Sequence, residues 1–454
     1  MSCSRLSPLD ASFLEVESPT AHMHVGWAAA LAPPPDRRAP CFTELRDHIA
    51  GRLDRAPRYR QRLAEVPLGV SDPVWVDDSD FDIAHHVRRA RSGNLRDVAD
   101  SAMSTPLDRS RALWELWIAD RLEDGRVGLV GKAHHCMVDG LAAVEFATLL
   151  LDPSPEPPPP EPDAWCPSDP PGDLQLVAEA ATDRLRRTAR LARAPLELVR
   201  SPGRLLGLLG TGVRAARAAR HSFAPAPPSV LNAPISRGRH LAQQQRPLAE
   251  VREVKDRYRA SVNDVVLAAA AGGVRRFLQR RRQDPIPLKA MVPVSVRGGD
   301  GAGELGNRIS FVFIDLPCDE PRPVARLRRV KSAMGARKEG GEPEGAQTVL
   351  DAIEYAPLTV QHAVSHAAAS GRAFNLVVSN IPGPRERLYM LGCELEEVYP
   401  VVPLADRHAV SIGFTTTGEQ AFFGVYADRE SVPDSDELAV AIGDSLDELR
   451  ATVG

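Results

Sequence analysis

The sequence predicts an α/β protein built from two lobes. The chain has 454 residues, of which 43% are hydrophobic, so it can bury a full core and form two domains, given ~150 residues for each. Short apolar stretches of strand character alternate with segments whose apolar residues recur at helical spacing. Ten prolines between residues 153 and 171 favour polyproline II and mark a linker or surface crossover. We therefore expect an N-terminal lobe (1–152), a crossover (153–224) and a C-terminal lobe (225–454).

Charge and cysteine content exclude several classes of protein. The 56 basic and 60 acidic residues give a formal charge of -4, which provides no global field for nucleic acid. The six cysteines are widely scattered without a CxxC pair, which is typical of a reducing compartment. No signal peptide and no uncharged apolar run of ~18 residues is evident. We expect a cytoplasmic protein whose contact with the inner face of the membrane or with lipid droplets, if made, is peripheral.

The stretch His134-His135-Cys136-Met137-Val138-Asp139-Gly140 is the strongest candidate for a functional site. It follows a predicted buried strand at 127–133 and precedes a predicted helix at 141–150. Neighbouring residues on an extended segment point to opposite faces, so one histidine can enter a cavity while the other packs into the scaffold. We assign His135 to the cavity and His134 to the scaffold.

Other groups of reactive side chains are weaker candidates. The pair His85-His86 has no Asp-Gly after it. His22 and His24 share one strand face, but no third metal ligand is evident near them. His134, His135 and Asp139 make a poor zinc site, because adjacent histidines point in different directions. We expect no metal. Cys136 lies beside the histidines, but a buried cysteine is more often a packing residue than a nucleophile.

The second half of the chain carries two further candidate stretches. Ser261-Val262-Asn263-Asp264 predicts a capped helix, and this local capping explains Asn263 and Asp264 more readily than direct catalysis does. Both remain candidates for binding the substrate or the oxyanion. A buried strand from Phe374 runs into the turn Pro382-Gly383-Pro384 and leaves Ser379 and Asn380 at its end. These two side chains can donate hydrogen bonds to an oxyanion or to the acceptor substrate. Alternatively, they can form hydrogen bonds with the backbone groups at the end of the strand. Gly301 to Gly306 fits GxGxxG, but a strand follows it, so a dinucleotide site is rejected.

An arginine-rich segment follows the proline-rich linker. Residues 184–220 hold ten arginines and a single acid, Glu197, with leucines interleaved. Such a segment can lie on an anionic membrane or droplet surface. It can equally be an interdomain helix with a solvated arginine face, because glycines and Pro202 interrupt any long helix.

Several of these stretches together resemble the bacterial wax ester synthase/diacylglycerol acyltransferase family, within the HHxxxDG superfamily of acyl-CoA-dependent acyltransferases. Besides HHxxxDG at 134–140, they are Pro8-Leu9-Asp10-Ala11-Ser12-Phe13-Leu14 (PLDxSFL), Asn263-Asp264 (ND) and Ser379 to Pro384 (SNxPGP). The family's PLW motif is matched at Leu113-Trp114, with Ala112 in place of proline.

The resemblance implies a fold, a reaction and residue roles. It implies two chloramphenicol-acetyltransferase-like lobes, with mixed sheets flanked by helices and a tunnel between them. It also implies esterification of a diacylglycerol or long-chain alcohol by a fatty acyl-CoA, giving triacylglycerol or wax ester. Asp139 would orient the histidine or pair with Arg297, and Gly140 would let the backbone pass close to the substrate.

The expected chemistry needs no cofactor, because acyl-CoA is itself an activated substrate. A histidine with an unperturbed pKa of ~6.5 can take the proton from the acceptor hydroxyl, and we expect His135 to be this general base. Two alternatives stay open. One is a condensation-type acyltransferase that takes its acyl group from a carrier protein, and the other is a non-catalytic lipid-binding relative.

Overall fold

The computed structural model describes residues 4–137, 150–156, 165–182, 185, 224–295, 309–340, 358–384 and 386–453. The strands are β1 (Ser4–Arg5), β2 (His24–Ala32), β3 (Gln61–Ala64), β4 (Val74–Asp77), β5 (Val87–Arg89), β6 (Trp114–Ala119), β7 (Val127–His134), β8 (Arg239–Pro247), β9 (Leu288–Ser295), β10 (Ile309–Leu316), β11 (Leu376–Asn380), β12 (Tyr389–Met390), β13 (Cys393–Val401), β14 (Val410–Thr417) and β15 (Gln420–Asp428).

Helices alternate with these strands along most of the described chain. They are α1 (Pro8–Glu15), α2 (Phe42–Ala50), α3 (Ile83–His86), α4 (Leu95–Ser104), α5 (Leu248–Arg257), α6 (Val262–Arg280), α7 (Pro323–Glu339), α8 (Leu358–Ala368) and α9 (Ser435–Arg450). Residues 173–182 are also helical. Short 3-10 turns occupy Leu53–Arg55, Pro57–Arg60, Pro67–Gly69 and Val230–Asn232. No helix in these ranges combines the length and apolarity that crossing a membrane requires.

Two six-stranded sheets form the framework. The first has the order β12-β13-β2-β7-β6-β5, and the second has the order β10-β9-β11-β14-β15-β8. Both are mixed, because β5 runs parallel to β6, and β11 runs parallel to β9 and β14, among otherwise antiparallel neighbours. A small third sheet has the order β1-β4-β3. The predicted α/β class with mixed sheets flanked by helices is confirmed.

Strand β13 joins the first sheet although it comes late in the chain. It pairs antiparallel with β2, with Glu394 opposite Ala32 and Val401 opposite Gly26. The first sheet therefore draws on residues from both sides of the 153–224 segment, while the lobe limits themselves stay a prediction. The two sheets approach each other where Pro400 of β13 packs on Gly424 of β15, whose Cβ in any other residue would lie 2.1 Å from the Pro400 carbonyl oxygen.

The buried core has two main hydrophobic clusters: one lies on one face of the first sheet, and the other extends from the opposite face of that sheet over the second sheet. The first-sheet cluster includes Trp27 of β2 and Leu129 of β7, with α1 and α2 packed on it. The other cluster surrounds α6, whose residues Val265–Val274 are buried on every side of the helix. A helix that is apolar all round belongs inside a protein. The helix begins as predicted, because Ser261 and Asp264 form a capping box.

Some local expectations differ from the structure or lie outside the described residues. The sequence at 80–87 predicts an extended segment, but α3 forms at Ile83–His86 because the Asp82 side chain accepts a hydrogen bond from the Ala84 N–H. The sequence predicts Ser435 as the cap of the last helix, but Ser435 is the first helical residue and Asp434 precedes it as N-cap. The 141–149 part of the predicted helix, the glycines at 301–306 and the arginine-rich segment, apart from Leu185, lie outside the described residues.

Candidate active site

Strand β7 carries the histidine pair into the interior of the first sheet. It lies between β2 and β6, and its whole length is buried. The strand ends at His134, which stands opposite His24 in the register of β2. The neighbouring strands thus fix the position of His134 before the chain turns at His135 and Cys136.

His134 is held inside the scaffold. Its side chain is 1% exposed, and its Nδ1 accepts a hydrogen bond of 3.1 Å from the backbone N–H of Cys136. Burial, together with the neighbouring His135 and Arg109, lowers the pKa of His134 to about 3. The ring is therefore neutral at physiological pH, with its proton on Nε2 because Nδ1 is the acceptor.

His135 lies against helix α1 and is less buried than its neighbour. Its ring stacks on the ring of Phe13, with centroids 3.8 Å apart and planes inclined by 15°. Its backbone N–H donates a hydrogen bond of 2.9 Å to the Met23 carbonyl oxygen. The two histidines are thus held separately, one by the strand end and one by α1.

Cys136 is structurally unsuited to act as a nucleophile. Its side chain is 3% exposed, and burial raises the pKa of the thiol far above its usual range. A thiol that stays protonated neither attacks a thioester nor binds a metal ion. The described residues also contain no group of three histidine, cysteine or carboxylate side chains arranged to hold a metal.

Asn263 and Asp264 lie in the first turn of α6. The Asp264 carboxylate accepts a hydrogen bond of 2.8 Å from the Ser261 N–H, and the Ser261 hydroxyl accepts one of 3.1 Å from the Asp264 N–H. The aspartate is buried, and this capping box gives it a structural task. Asn263 has no part in the capping box.

Ser379 and Asn380 end β11, which lies inside the second sheet between β9 and β14. Ser379 stands opposite Gly413 and is buried, whereas Asn380 stands opposite Phe414 and is partly exposed. The following turn approaches β14 so closely that a Cβ on Gly383 would lie 1.6 Å from the Thr416 carbonyl oxygen.

The remaining predicted site residues, Asp139, Gly140 and Arg297, lie outside the described residues. One cavity of about 690 Å³ opens beside α2, lined by side chains that include Arg37, His48 and Arg55. Its lining contains none of the predicted site residues that the structure describes. It is therefore not the expected substrate tunnel.

The sequence reasoning did not assign a site role to Phe13 or Glu17. Phe13 belongs to the PLDxSFL stretch that resembles the family. This resemblance is the sequence signal that could have predicted a position near the histidine motif. Glu17 follows α1 by two residues, and no periodicity or spacing indicates that its carboxylate lies 3.8 Å from His134.

Family models and relatives agree on one assignment. Residues 6–266 match the wax ester synthase/diacylglycerol acyltransferase catalytic domain, and residues 305–450 match the WS/DGAT C-terminal domain. A probable diacylglycerol O-acyltransferase of Mycobacterium tuberculosis is 31% identical over 466 residues, covering 99% of this chain and 96% of the relative. A second one from that organism is 31% identical over 462 residues, covering 99% of both chains.

Solved structures agree with these relatives. A wax ester synthase/diacylglycerol acyltransferase from Marinobacter aquaeolei VT8 superposes with a TM-score of 0.71 at 26% identity, over 99% of this chain and all of that one. The first condensation domain of the CDA synthetase shares the fold, with a TM-score of 0.59 at 16% identity over 100% and 96% of the two chains. With a family model covering more than half of its residues, the chain belongs to the wax ester synthase/diacylglycerol acyltransferase family of enzymes.

Proposed function

We propose that this enzyme transfers a fatty acyl group from acyl-CoA to the hydroxyl of a diacylglycerol, a long-chain alcohol or both. The products would be triacylglycerol or wax ester, together with free CoA. The family match and the names of the relatives support this reaction. The observation that carries the residue assignment is the contrast within the pair, because His134 is buried and bonded whereas His135 is more accessible.

The proposed chemistry is a direct transfer with His135 as the general base. The imidazole takes the hydroxyl proton while the acceptor oxygen forms a bond to the thioester carbonyl carbon. The carbon–sulfur bond then breaks, and the CoA thiolate recovers the proton from His135. General-base assistance of this kind typically accelerates a reaction about 10²- to 10⁴-fold.

Other residues would position the reactants and stabilise the oxyanion. Ser379 and Asn380 end a rigid internal strand, which suits donors that must stay fixed as negative charge develops. Asn263 is the better candidate of the ND pair, because the Asp264 carboxylate already caps α6. Asp139 would orient His135 or hold the loop through Arg297, and Gly140 would let the substrate approach the backbone.

The substrates set the expected partners. The reaction uses acyl-CoA as a substrate and no cofactor in this proposal. Because the acceptor and product are lipids, we further propose a peripheral contact with a membrane or lipid droplet, in which the 184–220 segment would present its arginines to anionic head groups.

The test is an assay with palmitoyl-CoA and either diolein or hexadecanol, following free CoA thiol and ester together. The unmodified protein should form ester, and His135→Ala should lose it while keeping its fold. His85→Ala is the matched control, because this exposed histidine belongs to the other histidine pair and pairs only with Asp82 in the described contacts.

Three results would change the proposal. Ester formation by His135→Ala would contradict the general-base role. Transfer only from an acylated carrier protein would favour a condensation-type acyltransferase. Binding of lipid without ester from any donor would favour a non-catalytic relative.

A further inference from the structure

Helix α1 and the residues just after it contact both histidines of the motif. Phe13 stacks on His135, and Glu17 lies beside His134. We propose that Glu17 is a positioning residue of this enzyme, which acts through His134 to hold the catalytic turn in place. The inference deepens the proposed function and rests on it for its kinetic consequences.

The geometry places one carboxylate oxygen between two donors. Oε2 of Glu17 lies 3.8 Å from Nε2 of His134 and 3.4 Å from Nη1 of Arg109. The Glu17 side chain is 13% exposed and that of His134 is 1% exposed. Neither Glu17 Oε2 nor His134 Nε2 has a hydrogen-bond partner among the described contacts. Two complementary atoms therefore face each other in a place that water scarcely reaches.

The protonation state of His134 favours an attractive contact between its Nε2–H and Glu17. The Cys136 N–H occupies Nδ1 of His134, so the neutral ring carries its proton on Nε2, toward Glu17. Burial raises the pKa of Glu17, and the nearby Arg109 guanidinium offsets this rise only in part. A movement of about 1 Å would shorten the 3.8 Å distance between Glu17 Oε2 and His134 Nε2 to the normal length of a hydrogen bond. Catalytic contacts are often long in free enzymes and tighten in the substrate complex.

The consequence for catalysis follows from chain connectivity. His134 ends β7, and the next residue presents the proposed base, so movement of the His134 backbone displaces His135. Rotation of the His134 ring would break its hydrogen bond from the Cys136 N–H, which helps to hold this turn. A misplacement of about 1 Å in an active site can lower the rate about 100-fold. Glu17 would limit this movement from the side of the ring opposite to the Cys136 N–H.

The central experiment compares Glu17→Ala with Glu17→Gln. We expect Glu17→Ala to lower kcat about 10- to 100-fold while KM for acyl-CoA and for the acceptor stays within about threefold. Glu17→Gln should keep kcat within about threefold of the unmodified protein, because both donors face the same oxygen and one amide oxygen can replace it. Glu15→Ala removes a half-buried acid that pairs with His362 and His366; it is the matched control and should leave kcat unchanged.

A double-variant comparison separates positioning from general stabilisation. In a His134→Ala background, Glu17→Ala should lower kcat by less than about twofold, since the residue through which Glu17 acts is gone. An equal fall in both backgrounds, or an unchanged kcat in Glu17→Ala alone, would overturn the inference. Melting temperatures of all variants verify that they fold.

A second readout does not depend on turnover. In protein labelled with ¹⁵N-histidine, the Nε2–H resonance of His134, assigned by its loss in His134→Ala, should shift in Glu17→Ala and stay close to its original position in Glu17→Gln. An unchanged resonance in Glu17→Ala would contradict the inference even if the protein formed no ester. Ester formation with wild-type kcat in Glu17→Ala would contradict the inference alone and leave the proposed function standing.

Discussion

The ring of Phe13 lies nearly parallel to the imidazole of His135, at a centroid distance of 3.8 Å. The contact joins α1 to the end of β7, because Phe13 belongs to the helix and His135 follows the strand. A flat aromatic face restricts rotation of the imidazole about its side-chain bonds. Helix α1 therefore acts on the site through the aromatic ring of Phe13.

Phe13→Ala should lower kcat about 10-fold or more, because the His135 ring would sample several orientations. The protein should also lose about 1–3 kcal/mol of unfolding free energy. Steady-state kinetics with palmitoyl-CoA and urea unfolding measure the two effects. Phe42→Ala is the control, since this partly buried ring contacts Arg46 and Arg89 and should affect stability with little change in kcat.

Cys136→Ala should keep kcat within about threefold, because a buried thiol with a raised pKa supplies no thiolate. Mass spectrometry after incubation with acyl-CoA should show no acyl group on Cys136. Loss of activity in Cys136→Ala, together with an acylated Cys136 in the unmodified protein, would replace direct transfer by a covalent mechanism.

Gly383→Ala should displace the turn after β11, because the new methyl group would meet the Thr416 carbonyl oxygen at 1.6 Å. We expect a loss of about 1–3 kcal/mol in stability and a fall in kcat if Ser379 and Asn380 contact the reacting groups. Gly335→Ala is the control, since open space surrounds this helical glycine and alanine favours the helix. Normal stability of Gly383→Ala would contradict the steric argument.

The stability of the protein should depend on the charge of His240. Its Nδ1 lies 2.7 Å from Asp100 of α4, and its Nε2 lies 3.1 Å from Asp436 of α9. Hydrogen bonding to Asp100 raises the pKa of His240 above the usual 6.5, although burial opposes this change. Arg429 and Arg96 also pair with these two carboxylates. The imidazolium thus joins the α4 region to β8 and α9.

A raised pKa in the folded state means that protonated His240 stabilises the fold below about pH 6.5 and that this contribution disappears as pH rises through the raised pKa. His240→Gln should therefore lose about 1–3 kcal/mol near pH 6 and much less near pH 9. Urea unfolding at the two pH values measures the difference. An equal loss at both would show that packing, rather than charge, carries the effect.

Local sequence signals predicted much of the framework. The apolar run at 127–133 appears as β7, and the Ser261 cap starts α6 where it was predicted. These features depend on periodicity and on side chains within a few residues of each other. The motif also singled out the histidine pair, because adjacent residues on a strand diverge whatever the rest of the fold is.

Tertiary structure alone decided how the site is assembled. No periodicity in the sequence could show that β13 joins the first sheet, that Phe13 covers His135, or that Glu17 faces His134. Each contact joins residues far apart in the chain. It therefore depends on the path of the backbone and on which side chains the core shields from water. The sequence by itself determined which side chains can do chemistry and which elements carry them. Packing determined which histidine of the pair is the more accessible and which carboxylate lies beside the buried histidine.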